Sequence, residues 1–274
     1  MKTWFVTGAS RGFGALVVER ALARGDAVIA TARKPEAIVA RFGAHANLLA
    51  VALDVTDEAQ AIAAARAAIE RFGRIDILLN NAGFGLMGAV EEASAAEIEA
   101  VYRTNVFGLL TVTRAVLPHM RRAHAGRILN ISAIGGYRGA AGFGVYSSTK
   151  FAVEGLSEAL HDELAPLGIH VTVVEPGYFR TDFLDASSLS VSTAQIDDYA
   201  ATAGRVREVA AGLSHNQPGD PAKLADVLVD LADAPNPPVR LPLGSDTVAV
   251  IEAKHVSDAA ILSEWRAVSV STDF

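Results

Sequence analysis

The sequence predicts an α/β fold: a single domain, residues 1–274, built on a doubly wound parallel sheet with helices on both faces. Three observations predict it. Short apolar runs rich in β-formers alternate with Ala-rich stretches of helical periodicity, the alternation that builds a parallel sheet. The first run leads through a glycine turn straight into a helix, an arrangement that offers free backbone N–H groups and a positive dipole end to an anion. At 274 residues without a linker, the chain is long enough to bury one large core.

The first strand is expected at residues 3–7. It is followed by Gly8-Ala9-Ser10-Arg11-Gly12-Phe13-Gly14 and a helix to about residue 24. Glycines at 8, 12 and 14 would let backbone approach a pyrophosphate. The second strand, 26–31, ends in Ala32-Arg33-Lys34. A carboxylate near this point holds a ribose 2′-hydroxyl, whereas arginine accommodates a 2′-phosphate. Arg33 and Arg11, with no carboxylate, favour NADP(H) over NAD(H). The third strand, 48–53, closes on Asp54-Val55, where Asp54 either caps the following helix (57–72) or touches a base. The fourth, 75–79, closes on Asn80-Asn81-Ala82-Gly83. Strand ends of this kind carry the ligands of open parallel sheets.

Two helical segments follow between 95 and 122. Asn105 interrupts one of them, and such an asparagine needs a partner to avoid competing with its own backbone. Strands are expected at 127–132, 169–174 and 239–243, with helices at 221–232 and from about 244 to a tail near 269. Between 178 and 218 the alternation stops. Phe179, Phe183, Leu184 and Leu189 sit there among Ser, Thr and Asp, the composition of a mobile lid over an apolar pocket. Residues 239–274 form a C-terminal extension.

Composition narrows the partners. A formal net charge of −7 argues against general nucleic-acid binding. The absence of cysteine excludes disulfides and thiolate metal sites. His119, His124, His161, His170, His215 and His255 show no metal-ligand spacing, so no metal is expected. No apolar run reaches membrane-spanning length and the N-terminus lacks a secretory cleavage signature, which makes a soluble cytoplasmic protein the expectation.

The chemistry is expected in Val145-Tyr146-Ser147-Ser148-Thr149-Lys150. On a helix, Tyr146 and Lys150 share a face with Cβ atoms roughly 5 to 6 Å apart. A phenol ionises near pH 10, and a cation about 4 Å away supplies interaction of the order needed to bring it toward neutrality. The pair reads as a proton donor beside a fixed positive charge.

Taken together, Thr7-Gly8-x-x-x-Gly12-x-Gly14, Asn80-Asn81-Ala82-Gly83, Asn105, Tyr146-x-x-x-Lys150 and Pro176-Gly177 resemble the short-chain dehydrogenase/reductase family in order and interval, over nearly the whole chain. The resemblance implies a Rossmann-type domain binding NAD(P), with Tyr146 as acid/base. Lys150 would bind the nicotinamide ribose and lower the phenol pKa, and Asn105 would hold a proton-relay water. Asp54 would lie by the adenine and Asn81-Ala82-Gly83 along the adenosine ribose. Pro176, Gly177, Phe179 and Thr181 would surround the nicotinamide. Leu243-Gly244-Ser245-Asp246 and Ser271-Thr272-Asp273-Phe274 look most like members related to 17β-hydroxysteroid and retinol dehydrogenases. A small-molecule carbonyl or alcohol is then the substrate, and a homodimer or homotetramer the assembly. Tyr178, Phe183 and position 133 would line the substrate pocket.

One departure stands out. The family's catalytic serine lies thirteen residues before the tyrosine, which here is Ala133. Neighbouring Ser132 points to the other side of a strand unless a bulge turns it in. Three expectations follow: Ser132 reaches the site through a local bulge, a water or another hydroxyl replaces it, or the chain is a low-activity variant; an NADP(H)-binding redox sensor without turnover is the competing reading.

Overall fold

The computed structural model describes residues 1–274. Strand β1 (Thr3–Val6) and helix α1 (Gly12–Ala23) open the chain, followed by β2 (Ala27–Ala32), α2 (Glu36–Phe42), β3 (Leu48–Ala52), α3 (Glu58–Phe72) and β4 (Ile77–Asn80). Then come β5 (Gly85–Met87), α4 (Ala95–Tyr102), α5 (Leu109–Ala123), β6 (Gly126–Ile131), α6 (Gly144–Leu164) and β7 (Ile169–Pro176). The chain ends with β8 (Leu189–Val191), α7 (Arg205–Leu213), α8 (Pro221–Leu231), β9 (Arg240–Leu243) and α9 (Ser245–Val270).

Seven strands pair in parallel in the order β3-β2-β1-β4-β6-β7-β9. The order reverses between β1 and β4, and a crevice opens beyond the strand C-termini at such a reversal. β2 is buried at every position because both faces of the sheet are covered. Successive side chains of β1 divide between the two layers. Trp4 and Val6 join a core with α1 and α8, while Phe5 joins the core under α3 and α5.

α3 shows how sequence sets an element. Asp57 caps it by accepting from Gln60 N at 3.0 Å, and Gly73 ends it in the left-handed conformation at φ 77°. Its buried Ala61, Ala64, Ala65 and Ala68 form one narrow face that lets the helix lie close on the sheet.

The expected strands are all present. β4 begins at Ile77, not at 75, and β7 runs on to Pro176, not to 174. Helix α2, entered at Pro35, has seven residues and was not expected, since so short a segment carries no readable period. Residues 178–218 are not irregular throughout. β8 pairs with β5 in a separate two-stranded sheet, and α7 lies within the segment. Three-residue strands are too short to alternate visibly, so this sheet left no trace in the pattern.

Candidate active site

The crevice is a cavity of about 1620 Å³. Its floor begins at the glycine turn. Gly8 and Gly12 have φ of 63° and 54°, conformations that favour glycine. A Cβ on Gly12 would meet no protein atom within 4 Å, so this backbone faces the open cleft. A Cβ on Gly14 would lie 2.5 Å from Gly8 O, so Gly14 serves the close approach of α1 to the turn and does not line the cleft. Thr7 Oγ1 accepts from Asn81 N at 2.9 Å and Ala82 N at 3.0 Å, and Asn81 Nδ2 donates to Thr7 O at 3.0 Å. These bonds lock Asn81-Ala82-Gly83 beside the turn.

Ser10, Arg11 and Phe13 continue the floor, and the first turn of α1 has no side-chain cap, leaving its N–H groups available. Arg33 and Lys34, past the end of β2, are exposed on the wall. Asp54 and Val55 line it from β3. Asp54 Oδ1 accepts from Thr56 N at 2.9 Å and Thr56 Oγ1 at 2.8 Å, ordering its own turn, and the helix cap is Asp57 instead. An open glycine backbone, a free helix N-terminus and arginines at the strand ends fit a dinucleotide phosphate.

Tyr146 and Lys150 share the inner face of α6, both buried against the cleft. Lys150 Nζ lies 5.7 Å from the Tyr146 ring centroid and donates to Ile131 O at 2.9 Å. Asn105 sits in a π-helical turn, Arg103–Gly108, the kind of irregularity that often marks a working helix. Its Oδ1 accepts from Phe84 N at 3.0 Å, and its Nδ2 donates to Phe84 O at 2.9 Å and Thr149 Oγ1 at 3.2 Å. A Cβ on Gly83 would lie 3.0 Å from Asn105 Oδ1 and 3.8 Å from Lys150 Nζ. Asn105 therefore stands behind Gly83 and ties the Asn81 loop to α6.

Burial corrects the expected electrostatics. It pushes the Tyr146 phenol well above its ordinary value, with nearby Tyr178 adding to the rise, and it lowers Lys150 to about 8, partly opposed by Glu154. In the protein alone, burial is the largest influence on the phenol.

Ser132 lines the cleft beside Ala133, but its Oγ is buried toward Gly136 and the Glu154 carboxyl. Glu154 is two turns, about 12 Å, along α6 from Tyr146. The strand does not bulge, Ser132 N donates to Val174 O at 2.8 Å in regular continuation, and the methyl of Ala133 lines the cleft.

The remaining wall comes from Pro176, Gly177, Tyr178, Phe179, Thr181 and Phe183. Tyr146 packs on Phe183 at 5.7 Å between ring centroids and on Phe143 at 6.1 Å, and Phe179 meets Phe13 edge-on at 5.6 Å. Asp246 at the start of α9 accepts from Tyr178 N at 2.7 Å. Arg11 donates to Ser187 O at 2.5 Å, joining the glycine turn to the 178–218 segment. Phe143, Gln217 and Val250 also line the cleft and were not anticipated, because nothing in their spacing marks them. Asp182, Asp185 and His215 gather at the surface of the 178–218 segment, where His215 Nε2 lies 3.1 Å from Asp185.

A Rossmann sheet with this tyrosine and lysine on one helix defines a class of nicotinamide-linked oxidoreductases. Residues 2–190 match the family model described as short chain dehydrogenase, and the chain belongs to that family. It is 40% identical to Oxidoreductase BOA17 of Botryotinia fuckeliana (strain B05.10), over 99% of each chain. It is 39% identical to 3-ketodihydrosphingosine reductase of Bacteroides thetaiotaomicron, over 92% of this chain and 91% of the relative. A solved short-chain dehydrogenase from Streptomyces avermitilis superposes with a TM-score of 0.91 at 42% identity, covering 100% of both chains. More distant solved relatives hold NADP, at 26% and 28% identity. No helix is long and apolar enough to cross a membrane.

Proposed function

We propose that the chain is an NADP(H)-dependent reductase of a medium-sized apolar ketone or aldehyde, working reversibly on the corresponding alcohol. The observation that carries this reading is the buried Tyr146–Lys150 pair at the wall of a cleft whose other end is the open glycine turn. Arg11, Arg33 and Lys34 support NADP over NAD, since cations and no carboxylate follow β2. Phe143, Phe183, Leu184 and Leu189 support an apolar substrate, and a relative named 3-ketodihydrosphingosine reductase agrees with reduction of a ketone. The 178–218 segment acts as the lid. The protein works in the cytoplasm as a homodimer or homotetramer.

The chemistry supplied by the bound nicotinamide is hydride transfer at the carbonyl carbon. Tyr146 Oη holds the proton that passes to the carbonyl oxygen, so that the product is the alcohol. Lys150 holds the ribose and steadies the phenolate. Asn105 orients the water that returns the proton, and Pro176, Gly177, Phe179 and Thr181 shape the wall beside the nicotinamide. Asp54, Val55 and Asn81-Ala82-Gly83 hold the adenosine end. Tyr178 supplies the hydroxyl that Ala133 lacks.

The test follows NADPH absorbance against a panel of ketones and aldehydes, with NADPH binding measured in parallel. Tyr146→Phe should lose at least a hundredfold in kcat and keep NADPH binding. Failure to bind either dinucleotide would sink the reading. The second reading, an NADP(H)-binding redox sensor, is favoured by Ala133. It predicts tight NADPH binding with no oxidation by any carbonyl, even after Ala133→Ser.

A further inference from the structure

Helix α9 has 26 residues, about 39 Å at 1.5 Å per residue. Its start is fixed to the body. Thr247 is fully buried, Asp246 holds Tyr178 N, Val250 lines the cleft, and His255 Nε2 pairs with the Tyr137 hydroxyl. From residue 255 onward every position is exposed, so four turns of helix run without cover from their own chain.

These turns carry a pattern. Thr247, Ile251, Lys254, Asp258, Ile261, Trp265 and Val268 recur at alternating steps of four and three, the spacing of one continuous stripe. The body covers its beginning. Ile261, Trp265 and Val268, with Leu262 beside them, are left 56%, 56%, 58% and 60% exposed. Lys254 and Asp258 pair at 2.9 Å and close the polar middle.

We infer that two copies of this chain associate through an antiparallel contact of their α9 arms, with Ile261, Leu262, Trp265 and Val268 at its centre. In proteins most helical stability comes from packing of an apolar face, so the uncovered stripe needs a cover of similar length and apolarity. A second α9 is such a cover, because a two-fold axis brings one patch onto itself. In the register that sets Ile261 against the partner's Trp265, the axis falls at position 263 with Leu262 beside it, and Asp258 comes within a turn of the partner's Arg266. Four such side chains from each copy bury on the order of 1,000 Å², the scale at which specific interfaces begin. The arm's charges, Glu252, Lys254, Asp258, Glu264 and Arg266, are of mixed sign and select neither nucleic acid nor anionic lipid. This inference does not depend on the reductase reading.

The test uses the full chain. Trp4 is fully buried and Trp265 is the exposed tryptophan, so acrylamide-accessible emission reports the arm. Sedimentation velocity should show self-association, with quenching falling as concentration rises. Leu262→Glu should weaken association at least a hundredfold, or reduce a tetramer to a dimer, and restore quenching, with the far-UV spectrum unchanged. Leu262→Ala should do the same more mildly. Val256→Glu, on the opposite face of α9, should leave assembly intact. A chain that stays monomeric at every concentration, or an assembly indifferent to Leu262→Glu, overturns the inference. So does a monomer whose arm instead retains it on neutral phosphatidylcholine vesicles in a flotation assay.

Discussion

Ala133 lines the cleft at the position that the proposed reading assigns to a hydroxyl steadying the substrate oxygen, while Tyr178 stands near enough to raise the Tyr146 pKa. One such donor is worth roughly 10²- to 10³-fold in rate. If Tyr178 fills the role, Tyr178→Phe lowers kcat about a hundredfold with little change in NADPH binding. Ala133→Ser then restores much of the loss, and steady-state kinetics of the two single variants and the double variant check it. Lys150 makes a second prediction. Its folded pKa of about 8 lies below the ordinary 10.5, so the unfolded chain binds the extra proton between these values and stability rises with pH across that window. Lys150→Met should therefore be more stable than the parent at pH 7, by on the order of 3 kcal/mol. The advantage should vanish near pH 10.5, as read by thermal melts, while turnover is lost at every pH. The tyrosine and lysine were legible because one helical turn separates them. The direction of their pKa values was not, since burial is a property of the assembled fold.

At the scale of elements, the 178–218 segment is held more firmly than its composition suggests. β8 lies on β5, where a Cβ on Gly85 would approach Leu189 Cδ1 to 2.7 Å. Glu92, whose side chain is fully buried, accepts from Arg207 at 2.7 and 3.2 Å, from Ala89 N at 2.7 Å and from Ile196 N at 2.9 Å. The Arg207 guanidinium and these amides hold Glu92 at about 2, so the contribution is present above the ordinary 4.5 and fades as pH falls toward 2. Arg207→Met strands that carboxylate. Faster amide exchange across 189–213 and a several-fold higher KM at unchanged cofactor affinity are the expected outcomes, by exchange mass spectrometry and kinetics. The strands and helices of the main sheet were readable because each carries its own periodicity. The β5–β8 pairing and the Glu92–Arg207 bond were not, since they join residues 104 and 115 positions apart through groups with no local signature.

Across the whole molecule, one cluster ties late sequence to early. Arg240 Nη1 donates to Glu154 and to Glu175, both at 2.7 Å, over separations of 86 and 65 residues, and its guanidinium stacks on Tyr137 at 5.4 Å. Burial, with Glu175 beside it, keeps Glu154 protonated well above the ordinary carboxylate range. A raised folded value means stability that is complete at low pH and is lost as pH rises from about 4.5 upward. Glu154→Gln should flatten that part of the curve and leave the acid side unchanged, as measured by urea unfolding at stepped pH. Sequence patterns gave the sheet and the nucleotide cradle, yet no periodicity connects Glu154 to Arg240. Synthesis gives that separation a further meaning. α6 and β7 leave the ribosome with two carboxyl groups destined for the interior, and the guanidinium that binds both is translated 65 residues after the second. Until it emerges, β7 has no cation to close against, so a nascent or prematurely terminated chain lacking β9 remains open to proteases and chaperones.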